Sequence, residues 1–288
     1  TYTVSLAAAK DLGYTIESNG SYTVYNADGL LNVAELVNGG KTDINITLTA
    51  DIDLTGKDWT PIGTDYDNSY KGTFDGGGHT ITGLTFTTND EFAGLFGWLN
   101  KAGTVKNVVM EGVQITSNQI YGGSIGGVVG SGWGTIENCS VSGSVSGTVY
   151  VGGVVGVQIG GSITGCSSSA TVKGTVDVGG VAGQTNSSAT LTACYATGNV
   201  TSTGSSTGYV HIGGFLGNNY ANVMTACYWK NNHEQGIGYN KKSTEATKVD
   251  GTGVTWKNAV DAMNTALQNA GSEWRYELKG ALPTLRKQ

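Results

Sequence analysis

Charge is scarce in this chain. Only 13% of its 288 residues are Asp, Glu, Lys or Arg, and there are 2 Pro and 3 His. Disordered chains of this polarity carry more charge or more proline, so the composition points to order. Collagen is excluded too: the 47 glycines lack both the Gly-X-Y period and the proline of a triple helix. Long apolar runs are also missing. None approaches the ~20 residues that cross a bilayer, so no membrane insertion by this segment is expected. A net charge of −6 and a pI near 5.0 argue against nucleic acid as a partner. No P-loop or His-Glu-x-x-His appears, so nucleotide and metalloprotease chemistry have no support. Thr1 to Leu12 lacks the basic and apolar regions of a secretory leader, and the start reads as a mature or trimmed boundary.

The charge that is present is uneven. Residues 112–210 hold only Glu137, Asp177 and Lys173. That stretch must stay soluble on Ser, Thr, Asn and Gly, which suits an ordered surface of short polar side chains.

The middle of the chain repeats. A glycine motif recurs as Ala93-Gly94-Leu95-Phe96-Gly97, Gly126-Gly127-Val128-Val129-Gly130, Gly152-Gly153-Val154-Val155-Gly156, Gly179-Gly180-Val181-Ala182-Gly183 and Gly213-Gly214-Phe215-Leu216-Gly217. The final glycines are spaced by 33, 26, 27 and 34. About ten residues after each comes a second element, from Val105–Val108 through Ile136–Cys139, Ile163–Cys166 and Leu191–Cys194 to Met224–Cys227, with an earlier echo at Ile81–Leu84. A period this short cannot bury a core alone, but stacked periods share one. Segments such as Ser140–Val145 alternate apolar and polar, the period of a strand. The repeats contain no amphipathic stretch of helical length. The expected fold is therefore all-β: a parallel β-helix, a solenoid of about six coils. Its corners are expected to use glycine for φ > 0 and close approach. The four cysteines take one place in successive coils, with Leu84 and Val108 before them. A place filled by Leu, Val or Cys predicts a buried ladder of free thiols. Neither a disulfide nor zinc fits as well, because stacked Cβ vectors run parallel and no Cys-x-x-Cys occurs.

Short helical caps are expected at both ends. Residues 27–38 place Leu30, Leu31, Val33, Ala34 and Val37 near helical spacing, and Gly39-Gly40 ends them. Asp43 to Leu54 then alternates as a half-buried strand. Trp256 to Ala270 carries the stripe Ala259, Met263 and Leu267, and Trp274, Tyr276, Leu278 and Leu282 suggest a closing strand or plug. The organisation is thus a strand segment or remnant of a preceding module over 1–26, a cap and first strands over 27–80, coils over 81–232, and a C-terminal cap over 233–288.

The repeated Gly-Gly-apolar-apolar-Gly resembles the GLUG motif of bacterial cell-surface proteins. Leu48–Leu54, Trp59–Gly63, Gly72–Ile81 and the closing Gly280–Leu285 strengthen the resemblance, which covers roughly residues 27–287. It implies an exported bacterial protein at the cell surface, a right-handed β-helix, and a role in adhesion or display. It implies no ligand and no catalytic set. Ala93 departs from the first glycine, and residues 201–208 look like a polar insertion.

A glycosidase needs two carboxylates across the scissile bond, and a lyase needs a base with charge neutralisation. Glu137 should neighbour Lys106 and Thr164, and Asp177 should neighbour Tyr150 and His211, so neither acid gains a second carboxylate. Asp51-x-Asp53 begins like a calcium loop, but Ile62 stands where the bidentate Glu belongs. Asp65, Asp67 and Asn68 form a second acidic loop. Asp75 and His79 read as a turn acid and a capping imidazole. No catalytic residue, metal ligand or cofactor is therefore expected. A binding face is expected instead. One column runs Glu91, Ser124, Tyr150, Asp177, His211, and a second group holds Trp98, Trp133, Gln158, Gln184, Asn218 and Tyr220. Rings stack on sugar faces while amides pair with hydroxyls. The candidate site is Trp98, Trp133, Tyr150, Asp177, His211 and Tyr220. The expected partner is a glycan or glycoprotein on a host or neighbouring cell. A polysaccharide lyase or glycoside hydrolase, and a passive spacer, are the alternatives.

Overall fold

The computed structural model describes residues 11–204, 209–221 and 223–288. Tyr2–Ser5 and residues 205–208 of the polar insertion at 201–208 therefore lie outside the described residues. Among them, three sheets of 13, 11 and 5 strands wrap one core, and a two-stranded hairpin stands apart. Pairing between coils is parallel, as in a β-helix.

The register shows why the sequence repeats. On the first sheet an inward ladder runs Ile46, Phe74, Val105, Ile136, Ile163, Leu191, Met224. On the second it runs Ile52, Ile81, Met110, Val141, Ser168, Ala196, Trp229. On the third it runs Ala93, Ile125, Val151, Val178, Ile212. Each fully buried Val, Leu or Ile contributes roughly 1.5–3 kcal/mol, and each rests on its counterpart one coil away.

The glycines of the motif work by close approach alone. None of them has positive φ. A Cβ on Gly152 would lie 2.0 Å from the Val155 carbonyl oxygen and 2.7 Å from Ala182 Cα in the next coil. The left-handed conformation occurs at other corners instead: at Gly83, Gly112, Gly143 and Gly161, and just ahead of Val108 and the cysteines at Asn107 (φ 57°), Asn138 (53°), Gly165 (65°), Ala193 (54°) and Ala226 (51°). Asn and Gly adopt it readily, and Ala does so at roughly 1–2 kcal/mol. Asn138 donates to Asn107 at 3.1 Å, and Asn107 donates to Asp75 at 2.9 Å.

All four cysteines are free and buried. Their thiols donate to main-chain carbonyls, Cys139 to Glu137 at 3.2 Å and Cys194 to Thr192 at 3.3 Å. Burial pushes the Cys166 and Cys227 thiols well above their ordinary pKa, so they stay protonated. Val108 heads this ladder, because Ser140 N bonds its carbonyl as Ser167 N bonds that of Cys139. Leu84 does not. Val105 pairs with Phe74, whereas Ile81 pairs with Met110 on another sheet. Ile81–Leu84 resembles the second element in sequence but belongs to a different face.

The N-terminal end is closed by α1 (Ala27–Asn38), capped by the Asn26 side chain. Leu30, Val33, Ala34 and Val37 are buried in the main core. The strand Tyr22–Val24 pairs with Ile46–Leu48, which ties the preceding residues into the first sheet. Asp43 to Leu54 is not one strand. It bends into Ile46–Leu48 and Ile52–Asp53 on different sheets, because a coil must turn where the alternation alone would run on.

At the other end α2 (Trp256–Asn269) has a capping box between Thr255 and Asn258. It lies on the flank, over the left-handed corner. Trp256, Ala259, Met263 and Leu267 form a second core with Ala193, Tyr195 and Tyr228. The hairpin Trp274–Lys279 and Leu282–Lys287 follows. Tyr276 Oη donates to the Ala193 carbonyl at 3.0 Å, and Tyr195 Oη to that of Pro283. Leu278 and Leu282 stay exposed, so this element is a buttress and not a plug.

Candidate functional site

Two side-chain columns meet along the solenoid axis beside the glycine corner. The third sheet contributes Phe92, Ser124, Tyr150, Asp177 and His211. The first sheet contributes Trp98, Ser131, Val157, Gln184, Asn218 and Tyr239. They touch at both ends: Phe92 packs edge-on to Trp98 at 4.5 Å, and Asn218 Nδ2 donates to Asp177 Oδ2 at 2.9 Å. Ser124, Ser131 and Asp177 are buried along the furrow between the two columns.

The register corrects the sequence alignment in two places. Phe92, not Glu91, heads the first column. The second group splits, because Gln158 pairs with Gly132 and Thr185 on a separate, buried column. Gln158 donates to the Gly134 carbonyl at 2.8 Å and serves the fold. Trp133 and Tyr220 sit just beside the furrow columns, one residue beyond the paired strand positions.

Four expected residues gather at the C-terminal end. Asp177 Oδ1 lies 2.7 Å from His211 Nδ1, and its other oxygen accepts from Asn218. Burial is the largest influence on Asp177 and raises its pKa, against the opposing hydrogen bonds from Asn218 and His211. Burial also raises Tyr150, helped by the charge of Asp177. His211 lies against Tyr239 at 5.0 Å, and Tyr239 against Tyr220 at 6.3 Å. Lys241 Nζ sits 5.3 Å from the Tyr220 ring centre.

The other two gather at the N-terminal end. Trp98 and Trp133 are 5.5 Å apart, and Tyr66 reaches both, at 5.9 and 5.8 Å. Trp98 is nearly buried, while Tyr66 is 61% exposed. Tyr66, Phe92, Tyr239 and Lys241 are the residues that sequence reasoning missed. A one-residue shift would have found Phe92. Aligning Ile237-Gly238-Tyr239 as a further rung would have found Tyr239. Tyr66 lies in a loop outside the period and gave no signal.

The N-terminal acids hold turns. Asp51 accepts from Thr80 N and meets His79 Nδ1 at 3.3 Å, Asp53 accepts from Thr55 N, and Asp65 accepts from Asp67 N and Asn68 N. Backbone and side-chain hydrogen bonds lower all three below the usual carboxylate value. Asp75 accepts from Gly77 N and is paired with Lys106 at 3.4 Å, so it is not a partner of His79. Among the described residues no three His, Cys, Asp or Glu side chains are grouped to hold a metal.

Known proteins share this pattern. The family pattern described as the GLUG motif matches residues 121–146 and 147–173. The chain carries the GLUG motif. Each matched copy is one coil, and each contains one glycine corner with its furrow residues, Ser124 and Ser131 in the first and Tyr150 and Val157 in the second. Halomucin of Haloquadratum walsbyi is 34% identical over 170 residues, 54% of this chain and 2% of that protein. A protein of Evansella cellulosilytica, provisionally described as a Gly-rich membrane protein, is 37% identical over 100 residues, 34% of this chain and 11% of that one. The chain thus spans a small fraction of these curated relatives. Among solved structures, a Bacteroides ovatus protein provisionally described as an immunoglobulin A1 protease superposes with a TM-score of 0.68 at 20% identity, over 94% of this chain and 93% of that one. That likeness concerns the fold. No described helix is long and apolar enough to cross a membrane.

Proposed function

We propose that this GLUG β-helix is an exported, non-enzymatic module of a bacterial surface protein, adhesin-like, and that its furrow holds a glycan or glycoprotein. The observation that carries this reading is the pair of aromatic clusters on one flank, with Tyr66 and Phe92 exposed or half-buried at one end and Tyr150, Tyr220 and Tyr239 at the other, and the half-buried amide of Gln184 between them. Rings spaced along the flank of a solenoid suit an extended polymer of sugars better than a small molecule. The surface setting is supported by the relatives, one named halomucin and one described as a membrane protein.

Hydrolytic chemistry finds no support in the same groups. The hydrogen bonds of the three imidazoles go to Asp51, Asp177 and the Val200 carbonyl. The thiols are buried against main-chain carbonyls. Asp177 is a lone carboxylate with both oxygens engaged, whereas glycoside hydrolysis needs two.

The test is retention of the purified chain on immobilised polysaccharides and mucin-type glycoproteins, with ligand length measured afterwards. Retention of intact ligand, weakened by Tyr66→Ala and by Tyr239→Ala, is the expected result. Shortened ligand would overturn the non-enzymatic reading. No retention anywhere would leave a passive spacer as the better account.

A further inference from the structure

The C-terminal end of the furrow opens into a shallow recess of about 460 Å³, lined by Gln184, Asn186, Ser187, Tyr220, Lys241 and Lys242. Both lysines are exposed. Lys57, Lys106, Lys248, Lys257, Lys279 and Lys287 each face a carboxylate within 4.0 Å. Among the described residues Lys241 and Lys242, like Lys41, Lys71, Lys101, Lys173 and Lys230, form no such pair; these two alone are adjacent in the chain, and Lys241 lies over the Tyr220 ring. The carboxylate of this cluster, Asp177, is 3% exposed and spends its oxygens on His211 and Asn218. The recess is therefore a cationic spot on a chain of net charge −6, and it adjoins two rings, Tyr220 and Tyr239, that can take a sugar face.

We infer that this recess selects an anionic sugar residue, whose carboxylate or sulfate meets the ammonium groups of Lys241 and Lys242 while its ring lies on Tyr239 and Tyr220. The inference rests on the reading of the furrow as a glycan-binding face and names the ligand class. Two adjacent lysines without acidic partners cost no broken ion pair when an anion arrives, and a charge-assisted hydrogen bond is stronger than a neutral one. Non-specific attraction to polyanions is opposed by the net negative charge of the whole chain.

One backbone polymer in three forms provides the test: chondroitin sulfate, its desulfated form carrying carboxylate alone, and the desulfated, carboxyl-reduced neutral form. Binding is measured by calorimetry at two salt concentrations. Binding to one or both charged forms, with the neutral form at least about tenfold weaker, is expected, and the two charged arms distinguish carboxylate from sulfate. Lys241→Gln/Lys242→Gln should remove that preference and its salt dependence, and Lys241→Arg/Lys242→Arg should keep both. Equal binding of all three forms would overturn the inference and leave the glycan reading standing. Absence of binding to all three would overturn the inference, while the wider panel decides the glycan reading separately. An unchanged preference in the Gln variant, with an unchanged melting temperature, would also overturn it.

Discussion

Gly152 has no room for a single added carbon. Its hypothetical Cβ meets main-chain atoms on both its own coil and the next, and backbone cannot step aside as a flexible side chain can. Gly152→Ala is expected to cost about 3 kcal/mol or more, read as a fall in thermal midpoint. Gly20, with nothing within 4 Å of its hypothetical Cβ, is the contrasting site, where only the φ of 82° opposes the change and the loss should stay near ~1–2 kcal/mol. Asp177 poses a different question. Its folded pKa is raised above the ordinary 3.8, so the folded chain holds this proton more tightly than the unfolded one. Stability drawn from this group is therefore greatest below pH 3.8 and declines as pH rises through the folded value. Asp177→Asn abolishes that titration. The melting temperature of the variant, relative to the parent, should rise between pH 3 and pH 6. A difference that stayed flat would mean that the His211 and Asn218 contacts offset the burial.

Among the elements, α2 and the hairpin are the ones that the repeat does not build. They carry their own core, centred on Trp256, Met263, Leu267 and Tyr276, and lean it on Ala193, Tyr195 and Tyr228. The coils behind them have a core of their own. Trp256→Ala is expected to remove roughly 3–5 kcal/mol of packing and to loosen the buttress without melting the coils. Hydrogen exchange would show this as protection lost across residues 256–287 and kept across 135–192. Uniform loss over both segments would mean that the buttress and the coils unfold as one unit.

Over the whole molecule, stability comes from stacked apolar ladders and coil-to-coil hydrogen bonds, with charge almost absent from the middle. Residues 112–210 contribute three charged side chains other than His, and most ion pairs elsewhere are solvent-exposed. Exposed pairs give little. Raising salt from 0.05 to 0.5 M should therefore move the melting temperature by less than about 2 °C. The binding of a charged glycan at Lys241 and Lys242 should weaken over the same range, so salt separates fold from recognition.

The repeat determined the solenoid by itself. A recurrence of Gly-Gly-apolar-apolar-Gly with alternating strands has one economical way to bury its apolar residues, which is to stack them on their own copies. For the same reason the cysteine ladder, the pairing of Asp177 with Tyr150 and His211, and the placement of Glu137 between Lys106 and Thr164 were all legible. Tertiary structure alone decided which columns face each other. Spacing along the chain fixes a residue's neighbours above and below but not its neighbour across a corner, because that depends on the angle at which two sheets meet. Trp98 was thus sunk beneath Phe92 and Tyr66, Gln158 was turned to a structural role, and Tyr239 and Lys241 were brought beside His211 and Tyr220. The lateral docking of α2 was decided in the same way: its apolar stripe says that it must be covered, and only the shape of the coils says where.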